Sequence, residues 1–154
     1  MSNSRYCLVV IGIFFLGLTG CGPGGSSDQA AESSGAAEEE SVDINALMAN
    51  ADLKRGETLF LQCRACHSLG AGEPNKVGPN LHGMFDRKAG LTPEFAYSDA
   101  LLDSGVVWNP ETLNEFLARP SQFIRGNQMV FVGVKKPEDR ASLIAFLKQA
   151  TGAD

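Results

Sequence analysis

Cysteine and histidine are scarce in this chain of 154 residues, which has only four cysteines and two histidines. Three of these six residues stand close together, at Cys63, Cys66 and His67. A structural zinc site usually has four Cys or His ligands. A zinc site built on Cys63 and Cys66 would need two more ligands, and apart from the adjoining His67 the chain after residue 50 offers only His82. The sequence therefore argues against a structural zinc site.

Regular alternation of apolar and polar residues is also absent, and no internal repeat stands out. Alternation with period two is the usual sign of a half-buried strand. A redox dithiol would be expected to follow a strand in a βαβ pattern. Without that pattern, the sequence does not favour a redox dithiol at Cys63 and Cys66.

An excess of basic residues is the third absence. The formal net charge is −5, and it arises in the first 50 residues, which carry one arginine and six acids; residues 51–154 carry twelve basic and twelve acidic residues. Domains that bind nucleic acids usually show a strongly basic face. We therefore expect no nucleic-acid partner.

Long hydrophobic runs are absent except near the N-terminus. There the apolar residues 8–18 follow Arg5 and precede small residues, which is the pattern of a secretory signal over residues 1–20. A membrane-spanning helix needs about 20 apolar residues. The run is shorter than that, so a cleaved signal is the favoured interpretation and an uncleaved anchor is the alternative.

The apolar run ends in Leu18-Thr19-Gly20-Cys21, which is similar to the bacterial lipobox. In a lipobox the cysteine is lipidated and becomes the mature N-terminus. This similarity predicts a lipid anchor on Cys21. The alternative is a chance cysteine beside an ordinary cleavage site.

Residues 21–50 are rich in Gly, Ser, Ala and Glu and contain no aromatic residue. Such a segment cannot bury a core and predicts a flexible acidic linker, which would hold a folded domain of residues 51–152. With the signal and the lipid anchor, this predicts a domain tethered on the periplasmic side of a bacterial membrane.

The distinctive motif that is present is Cys63-Arg64-Ala65-Cys66-His67. The pattern CxxCH is typical of covalent attachment of a c-type haem. Two thiols at this spacing can add to the two vinyl groups of one haem, and the histidine that follows is placed to bind the iron. The segment 72–93 is rich in Gly and Pro and predicts a long loop, which is uncommon unless functional.

Helical patterns surround this motif. Asp52 is a predicted N-cap for a helix that delivers CxxCH at its C-terminal end. Further helices are predicted over Thr92 to Leu102, over Pro110 to Leu117 with Pro120 at its end, and from Pro137 onward. The sequence predicts an all-α domain.

Four stretches resemble class I cytochrome c of the mitochondrial and alphaproteobacterial type. They are GETLFLQCRACHSLG (56–70), VGPNLHGMFDRKAG (77–90), YSDA (97–100) and NQMVFVGVKKPEDRASLIAFLKQAT (127–151). The resemblance implies an all-α class I cytochrome c fold, with three main helices and long loops around one covalent haem c. It also implies that the first and last helices cross where Gly56 and Phe60 meet Leu143 and Phe146.

The resemblance implies a role for each matched site residue. Cys63 and Cys66 would form the thioethers, and His67 and Met129 would ligate the iron. Pro79 would accept a hydrogen bond from His67, and Arg87, Tyr97 and Trp108 would lie at the haem propionates. From the residues alone, Met129, Tyr97 and Trp108 are open to a second interpretation as ordinary core side chains. His82 could be taken for a ligand, but the resemblance implies that it is a loop histidine with a structural or surface role.

The sequence departs from the family pattern in two ways. Phe116 stands where many relatives carry tyrosine, and Leu101 stands where asparagine is common. Positions near the exposed haem edge that are usually lysine are here uncharged or acidic: Glu57, Gln62, Ser121, Gln122 and Gln128, while Lys76, Lys135 and Lys136 remain. We therefore expect weak electrostatic steering of an acidic partner, for which a tether would compensate by raising effective concentration.

The resulting prediction is a monomeric, membrane-tethered one-electron carrier and not an enzyme. Its expected partners are membrane redox complexes: a quinol–cytochrome c oxidoreductase and a terminal oxidase, or a photosynthetic reaction centre. A haem enzyme or gas sensor with an open or displaceable distal site is the alternative, and a purely structural cytochrome domain is a third possibility.

Overall fold

Helices supply the regular structure of residues 42–152, the part of the chain that this computed structural model describes. They are α1 (Ile44–Met48), α2 (Leu53–Phe60), α3 (Asp99–Leu102), α4 (Pro110–Ala118), α5 (Pro120–Phe123) and α6 (Pro137–Ala150). Within this part of the chain the only β contact is an isolated antiparallel bridge between Lys88 and Val107. The all-α prediction is confirmed. No helix among these six is long and apolar enough to cross a membrane.

The ends of the three longest helices follow the signals in the sequence. Asp52 caps α2, its carboxylate accepting a hydrogen bond from the Arg55 backbone N–H. Asn109 and Thr112 form a capping box at the start of α4. Pro137 opens α6, where its missing N–H costs nothing. These boundaries are therefore set locally.

The α2–α6 crossing forms the centre of the fold. Gly56 lies so close to α6 that a Cβ at this position would collide with the carbonyl oxygen of Ser142. One turn later, the rings of Phe60 and Phe146 lie 5.6 Å apart between centroids. Glycine allows the two backbones to approach, and the aromatic pair fills the space beside them. The predicted contact between the first and last main helices is confirmed.

The helix predicted over Thr92 to Leu102 is mostly wrong. Only Asp99–Leu102 is helical, and Ser98 caps it by accepting a hydrogen bond from the Leu101 N–H. Glu94 has a left-handed φ of 57°, which breaks a helix, and the Pro93 carbonyl accepts a hydrogen bond from the Asn75 side chain. Tertiary contacts therefore override the local helical pattern.

The helix predicted over Pro110 to Leu117 is present as α4, which ends at Ala118. Pro120 begins the next helix, α5.

The predicted boundary between linker and domain also lies too far along the chain. Residues 44–48 form α1, capped by Asp43, within the stretch 21–50 that we expected to be linker. Ile44 is only 2% exposed and packs into the main core. Burial of one large apolar side chain gives this short helix a stabilising contact that its length alone would not provide. The predicted signal segment, Cys21 and the linker up to residue 41 lie outside the described residues.

Candidate functional site

A deep cleft of about 280 Å³ opens into the core of the domain. Apolar side chains of α2, α4 and α6 form its inner wall, among them Phe60, Leu113 and Leu143. The structure brings all eight predicted cofactor-binding residues to the lining of this one cleft: Cys63, Cys66, His67, Pro79, Arg87, Tyr97, Trp108 and Met129. His82 is exposed and lies outside it, near Gly152.

The two thiols are delivered by turns that continue from the end of α2. The Cys63 N–H donates to the carbonyl of Phe60, and the N–H groups of Cys66 and His67 both donate to the carbonyl of Cys63. Both cysteines are half-buried and free. Burial, with the neighbouring Cys66 as a smaller cause, raises the pKa of Cys63 to about 11. Cys63 is therefore a neutral thiol at neutral pH.

The imidazole of His67 is held in one orientation by the loop that follows. Its Nδ1 lies 2.8 Å from the carbonyl oxygen of Pro79, and because a carbonyl can only accept, Nδ1 carries the proton and Nε2 keeps its lone pair. Burial lowers the pKa of His67, which favours the neutral ring that binds metals. This is the arrangement in which a histidine ligates iron through Nε2.

Gly78 completes the support of this ring. A Cβ on Gly78 would overlap the ring of His67 at Cε1 and would lie 2.8 Å from Nδ1. The Gly78 N–H donates to the carbonyl of Cys66. The loop therefore lies against the histidine on one side, at a distance that only glycine permits.

Two residues hold this loop: Asn80, which sequence reasoning did not single out, and Lys76, which it named only as a lysine near the haem edge. Asn80 is buried, and its side-chain amide donates to the carbonyls of Gly70 and Glu73 at 2.8 Å each. The Lys76 ammonium donates to the carbonyls of Arg64 and His67. An Asn within a Gly- and Pro-rich loop was the signal for the first residue. Nothing local marked the second.

Arg87 and Trp108 are brought together by the antiparallel bridge. The Trp108 N–H donates to the Arg87 carbonyl at 3.0 Å, and the Trp108 ring packs on Phe116 with centroids 5.0 Å apart. The Arg87 guanidinium donates to the Thr92 hydroxyl at 3.0 Å. Thr92, which lines the cleft, is a polar residue here that the sequence did not reveal as part of the site.

Tyr97 reaches the same cleft from the loop before α3, where its ring lies edge-on to Phe95 at 4.8 Å. The cleft therefore combines a cation, a phenol and an indole with an apolar interior. Groups of this kind suit a flat apolar cofactor that carries acidic substituents.

Met129 and Met84 are the two methionines at the cleft. Met84 is almost fully buried and belongs to the main apolar core. Met129 is half-buried and does not belong to that core set. Its thioether is therefore the methionine sulfur available to a bound group.

The donor set fits a c-type haem. Two free thiols, an imidazole with a free Nε2 and a thioether all line one apolar cleft. Within residues 42–152 no group of three or more His, Cys, Asp or Glu side chains forms an alternative metal site.

Comparison with known proteins agrees with this fit. The cytochrome c family model matches residues 53–151. Cytochrome c of Cochliobolus lunatus is 50% identical over 101 residues, which is 65% of this chain and 94% of that protein. Cytochromes c of Arabidopsis thaliana and Chlamydomonas reinhardtii are 48% and 50% identical over 101 residues, 65% of this chain and 90% of each protein. The chain is thus a member of the cytochrome c family, an electron carrier with one covalently bound haem c.

Proposed function

We propose that this chain carries single electrons through a haem that His67 and Met129 both ligate, while Cys21 tethers the domain to the periplasmic side of a bacterial membrane. The observation that carries the proposal is the His67 Nδ1 to Pro79 bond, which leaves Nε2 free in the same cleft as the Met129 thioether. With both residues as ligands, a haem bound here would offer no open position to a substrate or gas.

A haem bound here would supply a one-electron iron couple. His67 and Met129 would remain bound to the iron in both oxidation states, so little would have to rearrange when an electron is transferred. Ligation by histidine and methionine also favours a raised reduction potential. Arg87, Tyr97 and Trp108 would bind the propionates, because each presents a polar group at the cleft and Arg87 adds a compensating charge.

The exposed rim of the cleft supports transfer at its edge. Gln62, Val77, Gln128 and Val130 line the opening, and the Val77 and Val130 side chains are 82% and 101% exposed. These four residues carry no charge, and Lys88 is the one exposed charged residue of the described lining. The partners we propose are membrane redox complexes, such as a quinol–cytochrome c oxidoreductase and a terminal oxidase, which would meet this rim through short-range apolar contact with little electrostatic steering.

A lipid tether would compensate for the weak steering, since confinement at a membrane raises the local concentration of both partners. Residues 21–41, which are rich in Gly, Ser, Ala and Glu, would be the linker that connects Cys21 to the folded domain.

The ligation is tested on the holoprotein. We expect the ferric protein to show the long-wavelength charge-transfer band of a methionine–iron bond, the reduced protein to bind little CO at neutral pH, and a reversible one-electron titration. If the band is absent and the reduced protein binds CO readily, the electron-carrier proposal is wrong and the alternative, a haem enzyme or gas sensor, is favoured.

The tether is tested by comparing Cys21→Ser with Cys7→Ser, a matched change inside the signal segment. We expect Cys21→Ser to leave the membrane fraction and Cys7→Ser to remain there. If the Cys21→Ser protein stays on the membrane after a salt wash, lipid attachment at Cys21 is wrong and the uncleaved anchor takes its place.

A further inference from the structure

The segment between α5 and α6 carries Met129 and is packed at both ends. Ile124 and Val134 are 4% and 7% exposed, and Phe131 packs against the main core. Residues 125–130 contain no buried side chain, and Val130 is 101% exposed. Burial of apolar surface therefore does little to fix the backbone next to Met129, where hydrogen bonds matter more.

The end nearest Met129 is fixed by the Asn127 side chain. Its amide Nδ2 donates to the Pro120 carbonyl at 2.8 Å and to the Ile124 carbonyl at 2.6 Å. Its Oδ1 accepts a hydrogen bond from the Met129 backbone N–H at 2.9 Å. One side chain thus joins both ends of α5 to the backbone of Met129.

The far end is fixed separately. The Val134 N–H donates to the Leu117 carbonyl at the end of α4, and the buried Arg140 guanidinium donates to the carbonyls of Val134 and Lys135. A Cβ on Gly133 would collide with the Ala118 carbonyl, so this end lies directly on α4. It stands five residues from Met129, whereas Asn127 stands two residues away.

We propose that Asn127 is a positioning residue that keeps Met129 at the haem iron and sets how readily this ligand is displaced. The inference rests on the proposed ligation by Met129. A methionine side chain has three rotatable bonds and adapts easily, so the place of its sulfur is defined only if its backbone is fixed. Asn127 supplies that constraint through three backbone groups.

The test is the Asn127→Ala variant of the full-length holoprotein, with Asn75→Ala as the matched control. The Asn75 side chain also donates to one carbonyl, that of Pro93, and accepts from one backbone N–H, that of Asn80, but it lies outside the cleft. The charge-transfer band of the methionine–iron(III) bond is followed against pH, and CO binding to the reduced protein is measured at neutral pH.

We expect Asn127→Ala to raise the equilibrium constant for release of Met129 by about tenfold, the order expected for one net hydrogen bond. The pH at which half of the band is lost then falls by about one unit. CO binding should rise by a similar factor. The Asn75→Ala variant should keep the wild-type values, because its loop holds the histidine side and not Met129.

Asn127→Asp extends the test if Asn127→Ala does not fold. The carboxylate retains an acceptor for the Met129 N–H but cannot donate to the two carbonyls, and we expect a shift in the same direction. A wild-type pH midpoint and wild-type CO binding in the folded variants would overturn the role of Asn127, as would an equal shift in Asn75→Ala. Absence of the band from the wild-type protein would instead overturn the proposed ligation.

Discussion

His67 donates a hydrogen bond from Nδ1 to the Pro79 carbonyl oxygen, 2.8 Å away, across a loop that touches the ring at Gly78. This bond fixes both the tautomer and the orientation of the imidazole. The intervening glycine is what allows the loop to lie so close. The ligand geometry is therefore a property of the loop as much as of the CxxCH motif.

Gly78→Ala should disturb the histidine directly. The added Cβ would overlap the His67 ring, and overpacking of this kind costs about 1 to 3 kcal/mol of stability. We expect lower stability of the holoprotein to guanidinium chloride together with an altered reduction potential. Gly72→Ala is the control, because a Cβ there meets nothing within 4 Å and its φ of 73° costs only backbone strain. A potential that shifts equally in both variants would contradict the steric explanation.

Gly56→Ala should destabilise the domain although alanine is the better helix former. Alanine gains about 1 kcal/mol of helix propensity over glycine, but its Cβ would collide with the Ser142 carbonyl on α6. We expect a net loss of at least about 1 kcal/mol in the free energy of unfolding. Thr58→Ala, at an exposed position of α2, should change this free energy by less than about 0.5 kcal/mol. A stabilised Gly56→Ala protein would show that the helices can move apart at no cost.

Ile44→Ala should show that α1 belongs to the folded domain. The side chain is 2% exposed within the core, so truncation should cost about 2 to 5 kcal/mol in urea unfolding of the full chain. Val42→Ala, just outside α1 and exposed, should cost less than about 0.5 kcal/mol. If both changes lower the free energy of unfolding by the same small amount, residues 43–50 belong to the linker and not to the folded domain.

Acid should weaken the link between α2 and α6. The Arg55 guanidinium bonds Asp139 through Nε and Nη2 at 2.8 Å each and lowers the pKa of that carboxyl. A carboxyl with a depressed folded-state pKa contributes stability above its unfolded pKa, and the contribution is lost as pH falls through the folded value. Asp139→Asn should therefore be less stable than wild type at pH 7, by a modest amount since the pair is exposed.

The two proteins should then converge as the carboxyl protonates in acid, which urea unfolding across pH measures. Glu138→Gln is the control, since it removes a charge from the same first turn of α6 but no ion pair that the described residues form. A difference between Asp139→Asn and wild type that persists unchanged below the folded pKa would point to packing and not to charge.

Adding charge at the rim should create a steering effect that the natural chain has little of. Gln62 and Gln128 line the opening of the cleft. The double change Gln62→Lys and Gln128→Lys should raise the rate of electron transfer to an acidic-faced, solubilised terminal oxidase severalfold at low salt and make it fall more steeply with ionic strength. Gln149→Lys, exposed on α6 away from the cleft, should leave both values unchanged. If the wild type, the double variant and Gln149→Lys all show an equally steep salt dependence, the interpretation that the natural rim gives little electrostatic steering is wrong.

The sequence by itself determined the chemistry and the starts of the three longest helices. CxxCH has one common meaning in an all-α context, and Asp52, Asn109 and Pro137 act on the backbone next to them, so their effect is visible in sequence. The resemblance as a whole also identified the eight residues that the structure brings to one cleft, seven of them within the four matched stretches and Trp108 between two of them.

Tertiary structure alone decided what depends on distant partners. The pattern over Thr92 to Leu102 favours a helix locally, but the bond from Asn75 to the Pro93 carbonyl holds its first half as loop. The composition around α1 is that of a linker, yet burial of Ile44 against α4 and α6 orders it. Asn127 and Thr92 acquire their roles from carbonyls and guanidinium groups that the chain brings to them only when folded, since a hydrogen bond has no signature in sequence until its partner is in place.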